Sequence, residues 1–148
     1  MKIERFKKLL ETNKFNELHS FLLEKSEKEI ESILFTIAYD YDCLLVYTFI
    51  NSVISKNETS MWHYFASSIL AMAFSHLNYG YQMAYYHAVK AIELSPENID
   101  LKNYILLFYS IPEKILSKDL ALDYAREVYD HDKNNNTARM VLGLHLIP

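Results

Sequence analysis

The amino-acid sequence predicts an all-α protein of stacked antiparallel helical hairpins, and three observations carry that prediction. The 148 residues include only 2 Gly and 3 Pro, against 12 Tyr and 8 Phe. A β-sandwich or barrel needs many tight turns, and turns need Gly and Pro. Apolar residues recur at steps of three and four along most of the chain, the period of an amphipathic helix. A pattern of small residues also occurs twice, once around Ala84 and once around Ala121. Hydrophobic residues make up 51% and charged residues 23%, which excludes disorder as the main state. The length suits a single domain, residues 1–148. A compact chain of this size buries roughly 68–70% of the surface its unfolded form exposes, so it needs neither disulfide nor metal.

The first helix is marked by Ile3, Phe6, Leu9 and Leu10, and Thr12-Asn13 interrupts it. A second short segment runs from Phe15 to Leu23, with Leu18, Phe21 and Leu22 on one side. Ser26 followed by Glu29 is a capping box before a third helix carrying Ile30, Ile33, Leu34 and Ile37. Tyr39-Asp40-Tyr41-Asp42 breaks the pattern, and Asp40 or Asp42 is expected to cap the next helix, Leu44 to Val53. These four segments read as two hairpins, followed by the polar loop Ser55–Thr59. A long helix is expected from Trp62 to Leu77, where Ala66, Ala71 and Ala73 admit a close neighbour. Gly80 is expected to supply a left-handed helix end before the helix Tyr81–Leu94. Ser95-Pro96-Glu97-Asn98 stops that helix and starts another, since Pro fits only a first turn. Leu101–Ser110 and Ser117–His131 form the next hairpin. Asn136 is expected to cap a last helix running through Val141 to Leu146, for about nine helices in all.

Helix, Gly turn, helix and closing Pro together resemble a tetratricopeptide repeat. Ala71, Phe74, Leu77, Tyr81, Ala84, Ala91 and Pro96 stand at matching places, with one extra residue in the turn. Ala88 stands where that family usually has an aromatic residue, and Trp62 comes several residues early. The likeness covers about 35 residues. With Ala84 laid on Ala121, Ala88 falls on Ala125 and Ala91 on Val128, while the second unit lacks a closing Pro. The resemblance implies a right-handed solenoid with an extended concave binding surface.

The net charge of −4 argues against a general nucleic-acid binder and fits a basic protein partner. Cys43, the only cysteine, lies in an apolar run and reads as a buried thiol. No apolar stretch reaches the length of a membrane span, and the charged opening does not read as a secretory signal. The simplest address is the cytoplasm. His19, His63, His76, His87, His131 and His145 show no metal-ligand spacing, and no nucleophile elbow or glycine-rich phosphate loop occurs. No metal, cofactor or catalytic residue is therefore assigned. Arg126 and His131, with four residues between them, resemble the active-site motif of HEPN ribonucleases. That resemblance implies a phosphate-stabilising Arg and a proton-moving His. The ordinary reading pairs Arg126 with nearby carboxylates and places His131 at a helix C-terminus, and it is preferred here because the surrounding acids would repel RNA.

Two surface features are candidate partner sites. Asp119, Asp123, Glu127 and Asp130 form one acidic stripe without interleaved Lys, which also reads as a solvated face. Tyr39, Asp40, Tyr41 and Asp42 combine rigid contact area with charge, and read equally as a loop with half-buried tyrosines. An aromatic surface around Trp62, Tyr64 and Tyr86 is the third possibility. The expected function is a non-enzymatic protein-binding module. Size, helical build and acidic, aromatic character resemble bacterial immunity proteins of contact-dependent or wall-associated toxin systems. That likeness implies tight binding and neutralisation of a cognate toxin domain, often a basic nuclease. The alternatives are a tetratricopeptide-like adaptor or regulator in a larger complex, and a HEPN-type RNase.

Overall fold

The computed structural model describes residues 3–148. They form α1 (Ile3–Glu11), α2 (Phe15–Leu22), α3 (Glu27–Asp40), α4 (Leu45–Ile54) and α5 (Ser60–Met72). These are followed by α6 (Gly80–Leu94), α7 (Ile99–Ile105), α8 (Leu107–Ser110), α9 (Lys118–His131) and α10 (Asn136–Val141). No strand occurs among the described residues. One continuous apolar core runs through them, from Phe6 and Leu10 in α1 to Val128 in α9 and Ala138 in α10.

α5 and α6 make the tightest pair, and they are antiparallel. Ser95 Oγ donates to Ser60 Oγ at one end, and Ser67 Oγ donates to the Ala84 carbonyl midway along. Small residues allow this approach: Ala66, Ala84 and Ala91 have no exposed surface. The second pair, α7 with α9, repeats the arrangement. Lys102 Nζ donates to Glu127 near one end, and Leu116 N donates to the Phe108 carbonyl at the other. Ala121, Ala125 and Val128 are buried in α9 as Ala84, Ala88 and Ala91 are in α6, so the two copies of the small-residue pattern have the same burial. The N-terminal part pairs less simply than two hairpins. α1 packs on α2 and α4, while α3 packs chiefly against α5.

Several boundaries differ from the sequence-based expectation, each for a local reason. The Ser26–Glu29 capping box forms as expected. Neither Asp40 nor Asp42 caps α4: Asp40 ends α3, Asp42 takes a left-handed φ of 49°, and Leu44 holds the cap position of α4 without a side-chain hydrogen bond. α5 stops at Met72, five residues before Leu77, and residues 73–79 form consecutive turns. The left-handed residue in that turn is Tyr79, with φ 64°, and Gly80 begins α6. Gly80 serves a close approach instead: a Cβ there would lie 2.4 Å from the Phe74 carbonyl oxygen. The expected single helix Leu101–Ser110 is α7 and α8, joined at Leu106, whose φ −61° and ψ −20° remain helical. α10 is capped by Asn135, one residue before Asn136, and ends at Val141, leaving Leu146 exposed beyond it.

Gly80→Ala should lower stability by roughly 1–3 kcal/mol, because the methyl meets backbone that cannot rotate away. Ala84→Leu should cost a similar amount at the α5–α6 contact. Urea unfolding of both variants checks the estimate, and wild-type midpoints would refute it.

Candidate functional site

The acidic stripe and the Tyr39–Asp42 segment lie on separate surfaces, and the third group, Trp62, Tyr64 and Tyr86, is split between core and surface. All four carboxylates of the α9 stripe are exposed, but the stripe is not uncompensated. Arg126 pairs with Asp123 at 3.0 Å and Lys133 with Asp130 at 2.8 Å. Lys102 reaches Glu127 from α7. The compensating cations come from the same helix, from the next turn and from a neighbouring helix, so the spacing of acids alone did not reveal them. Lys102 is itself nearly enclosed and, among the described residues, pairs with Glu127 alone. Arg126 is thus held by a carboxylate, and His131 sits exposed at the end of α9.

Tyr39, Asp40, Tyr41 and Asp42 are exposed at the α3–α4 junction. Tyr39 stacks on Phe35 with ring centroids 5.6 Å apart, and Lys7 from α1 lies over the Tyr41 ring at 4.1 Å. Cys43 is half-buried rather than enclosed, on the edge of a shallow depression beside Tyr41. Of the third group, Trp62 belongs to the core at 2% exposure, wedged between Phe49 and Phe65. Tyr86 is exposed on α6, while Tyr64 lines a cleft.

That cleft, of about 470 Å³, lies between α3, α5 and the start of α7. α3 contributes Glu27, Lys28 and Glu31. α5 contributes Ser60, Met61, Tyr64 and Phe65, and Asn98 to Tyr104 complete it. The spacing of Glu27 and Glu31, one helical turn apart, brings both to the same side of α3. Met61, Tyr64 and Phe65 lie at helical steps along α5 in the same way. Tyr64 donates its hydroxyl to Glu31 Oε1 at 2.8 Å, fixing that carboxylate against the aromatic wall. Burial, and then this bond, push the Tyr64 phenol well above its ordinary range. Tyr104 packs edge-on to Tyr64 with centroids 5.1 Å apart, and its hydroxyl is 2.9 Å from Ser67 Oγ. Burial pushes its phenol up to about 12, so both tyrosines stay protonated. Asn98 is spent capping α7, and Asn103 Oδ1 is enclosed without a hydrogen-bond donor. Of this lining the sequence had singled out Tyr64 alone. Its three carboxylates come from segments about 70 residues apart, united only by the packing of α3 and α7 on α5.

A second polar assembly was also hidden in the sequence. His63 of α5 and His87 of α6 are 2% and 3% exposed, and their Nδ1 atoms lie 2.8 Å apart. His63 Nε2 is 2.9 Å from Glu58 Oε1, and His87 Nε2 is 3.0 Å from the Tyr47 hydroxyl. One arrangement of protons satisfies the chain with both imidazoles neutral and Glu58 ionised. Tyr47 donates to His87 Nε2, His87 Nδ1–H donates to His63 Nδ1, and His63 Nε2–H donates to Glu58. Burial, and then the adjacent His63, push the His87 imidazole down to about 4. Lys90, the cation on α6 that also feels Glu58, is held by Glu93. The chain pins α4, the loop before α5, and α5 to α6. The two histidines are 24 positions apart, too far for any local motif.

No group of three or more His, Cys, Asp or Glu among the described residues is placed to hold a metal ion, and no described helix is long and apolar enough to cross a membrane. No family model matches the chain, and neither a curated protein nor a solved structure matches it.

Proposed function

We propose that the chain is a non-enzymatic protein-binding module that docks a basic partner on the α3–α5–α7 cleft. The observation that carries this reading is the cleft itself: aromatic walls, three carboxylates and one lysine, joined by the packing of three helices. Such a surface suits contact area plus charge complementarity. The α5–α6 and α7–α9 pairs, with their matching buried small residues, support a tetratricopeptide-like stack. The net charge of −4 supports an acidic partner for a basic protein, and neutralisation of a basic toxin domain in the cytoplasm is the biological role that fits best. The α9 stripe serves encounter rather than hold, because most of its carboxylates already have partners.

The test is capture by the tagged chain from its native cells, including the proteins encoded beside it. A basic protein should be retained at stoichiometric ratio, and its toxicity, if it has one, should be suppressed by the chain. Retention of no protein, or of an acidic one only, contradicts the reading. So does specific RNA cleavage by the clean chain that is lost in both Arg126→Ala and His131→Ala.

A further inference from the structure

The cleft's lining carries three carboxylates, Glu27, Glu31 and Asp100, against one cation, Lys28. The Tyr64 hydroxyl is committed to Glu31, and the Tyr104 hydroxyl is engaged with Ser67. Glu31 still has an oxygen to offer, and Asp100 adds another carboxylate at the same wall, close enough that both raise the Tyr64 phenol. An incoming group must therefore bring several N–H donors and positive charge, and it must tolerate an aromatic wall. Lysine brings three donors on a compact, strongly hydrated ammonium. Arginine brings five in a planar fork that pairs with carboxylates and stacks on rings, and its desolvation is cheaper.

We infer that the α3–α5–α7 cleft is a receptor for an arginine side chain of the partner, held between the Glu31 and Asp100 carboxylates and stacked against Tyr64. This rests on the protein-binding reading above and specifies the chemistry of its site. Glu27 at the rim adds attraction, and Lys28 beside it sets a limit by repelling dense runs of positive charge. The occupant is thus a segment with one or two arginines, and not a polybasic tail.

The probes are labelled octapeptides of Gly and Ser containing two arginines, two lysines or two citrullines. Citrulline keeps the shape of arginine and removes its charge. The arginine peptide should bind several-fold more tightly than the lysine peptide, and the citrulline peptide should show no saturable binding. Asp100→Asn should weaken the arginine peptide by about tenfold, and Glu31→Gln by at least as much. Asp100 is exposed in the first turn of α7, so its variant remains informative if Glu31→Gln perturbs the fold. Changing Asp119 and Asp123 together to Asn should leave the affinity within about twofold, since these exposed carboxylates make no contact with α7 and mutations at separate sites act independently. Equal binding of arginine and citrulline peptides overturns the inference, as does insensitivity to both cleft variants or loss in the α9 variant. Capture of a basic protein by a chain that ignores the arginine peptide would leave the module reading standing and sink this inference alone.

Discussion

Phe49→Ala should lower the unfolding free energy by roughly 3–5 kcal/mol, the largest loss expected from a single truncation here. Phe49 has no exposed surface and meets three other aromatic rings edge-on. Phe6 of α1 lies at 6.3 Å, Phe15 of α2 at 5.7 Å and Trp62 of α5 at 6.1 Å. Four helices therefore share one contact, and removing the ring leaves a void that none of them can fill without moving the rest. Urea unfolding gives the number. A loss below about 1 kcal/mol would mean that the N-terminal helices are not docked on α5 in this way.

Acid should weaken the fold in a defined window, and His87 is the main reason. In the unfolded chain its imidazole takes a proton near pH 6.5; in the folded chain burial holds it neutral down to about 4. Between those values the unfolded state binds more protons, so stability is greatest above the upper value and declines as pH falls towards the lower one. The decline should reach roughly 2–3 kcal/mol by pH 4.5. His87→Gln should flatten it while lowering stability at neutral pH, because Tyr47 and His63 then lose a matched partner. An unchanged slope in this variant would move the acid sensitivity elsewhere. Nitrogen chemical shifts offer a finer check: His87 should carry its proton on Nδ1 at pH 8, and a proton on Nε2 would reverse the assigned chain of donors.

Helix content was legible because it depends on local periodicity. The Ser26–Glu29 box and the buried alanines of α6 and α9 follow from spacing within one segment. The capping residues were less legible. Asp40 and Asp42 have the right chemistry for a cap, but the chain turns through Asp42 in a left-handed conformation and neither side chain reaches the next helix. Gly80 was read as a turn residue, whereas its missing side chain admits the Phe74 carbonyl. That distinction depends on which backbone comes near, which one strand of sequence does not record.

The candidate site was almost wholly illegible. Within the acidic stripe, Arg126 and Lys133 are local partners of Asp123 and Asp130, and only the Lys102 partner of Glu127, 25 positions away on another helix, was hidden. Trp62 looked like surface because its aromatic neighbours are distributed over α2, α4 and α5. Glu31, Tyr64 and Asp100 carry no motif, and neither do Glu58, His63, His87 and Tyr47. Each set is assembled by long-range packing, and the side chains within it are individually ordinary.

Amide hydrogen exchange of the chain, free and bound to its captured partner, tests the docking site most directly. The account predicts new protection in Glu27–Glu31, at the start of α5 and in α7, with α9 between Asp119 and Asp130 unchanged. Protection confined to the α9 stripe or to Tyr39–Asp42, with the cleft exchanging as in the free chain, would contradict it.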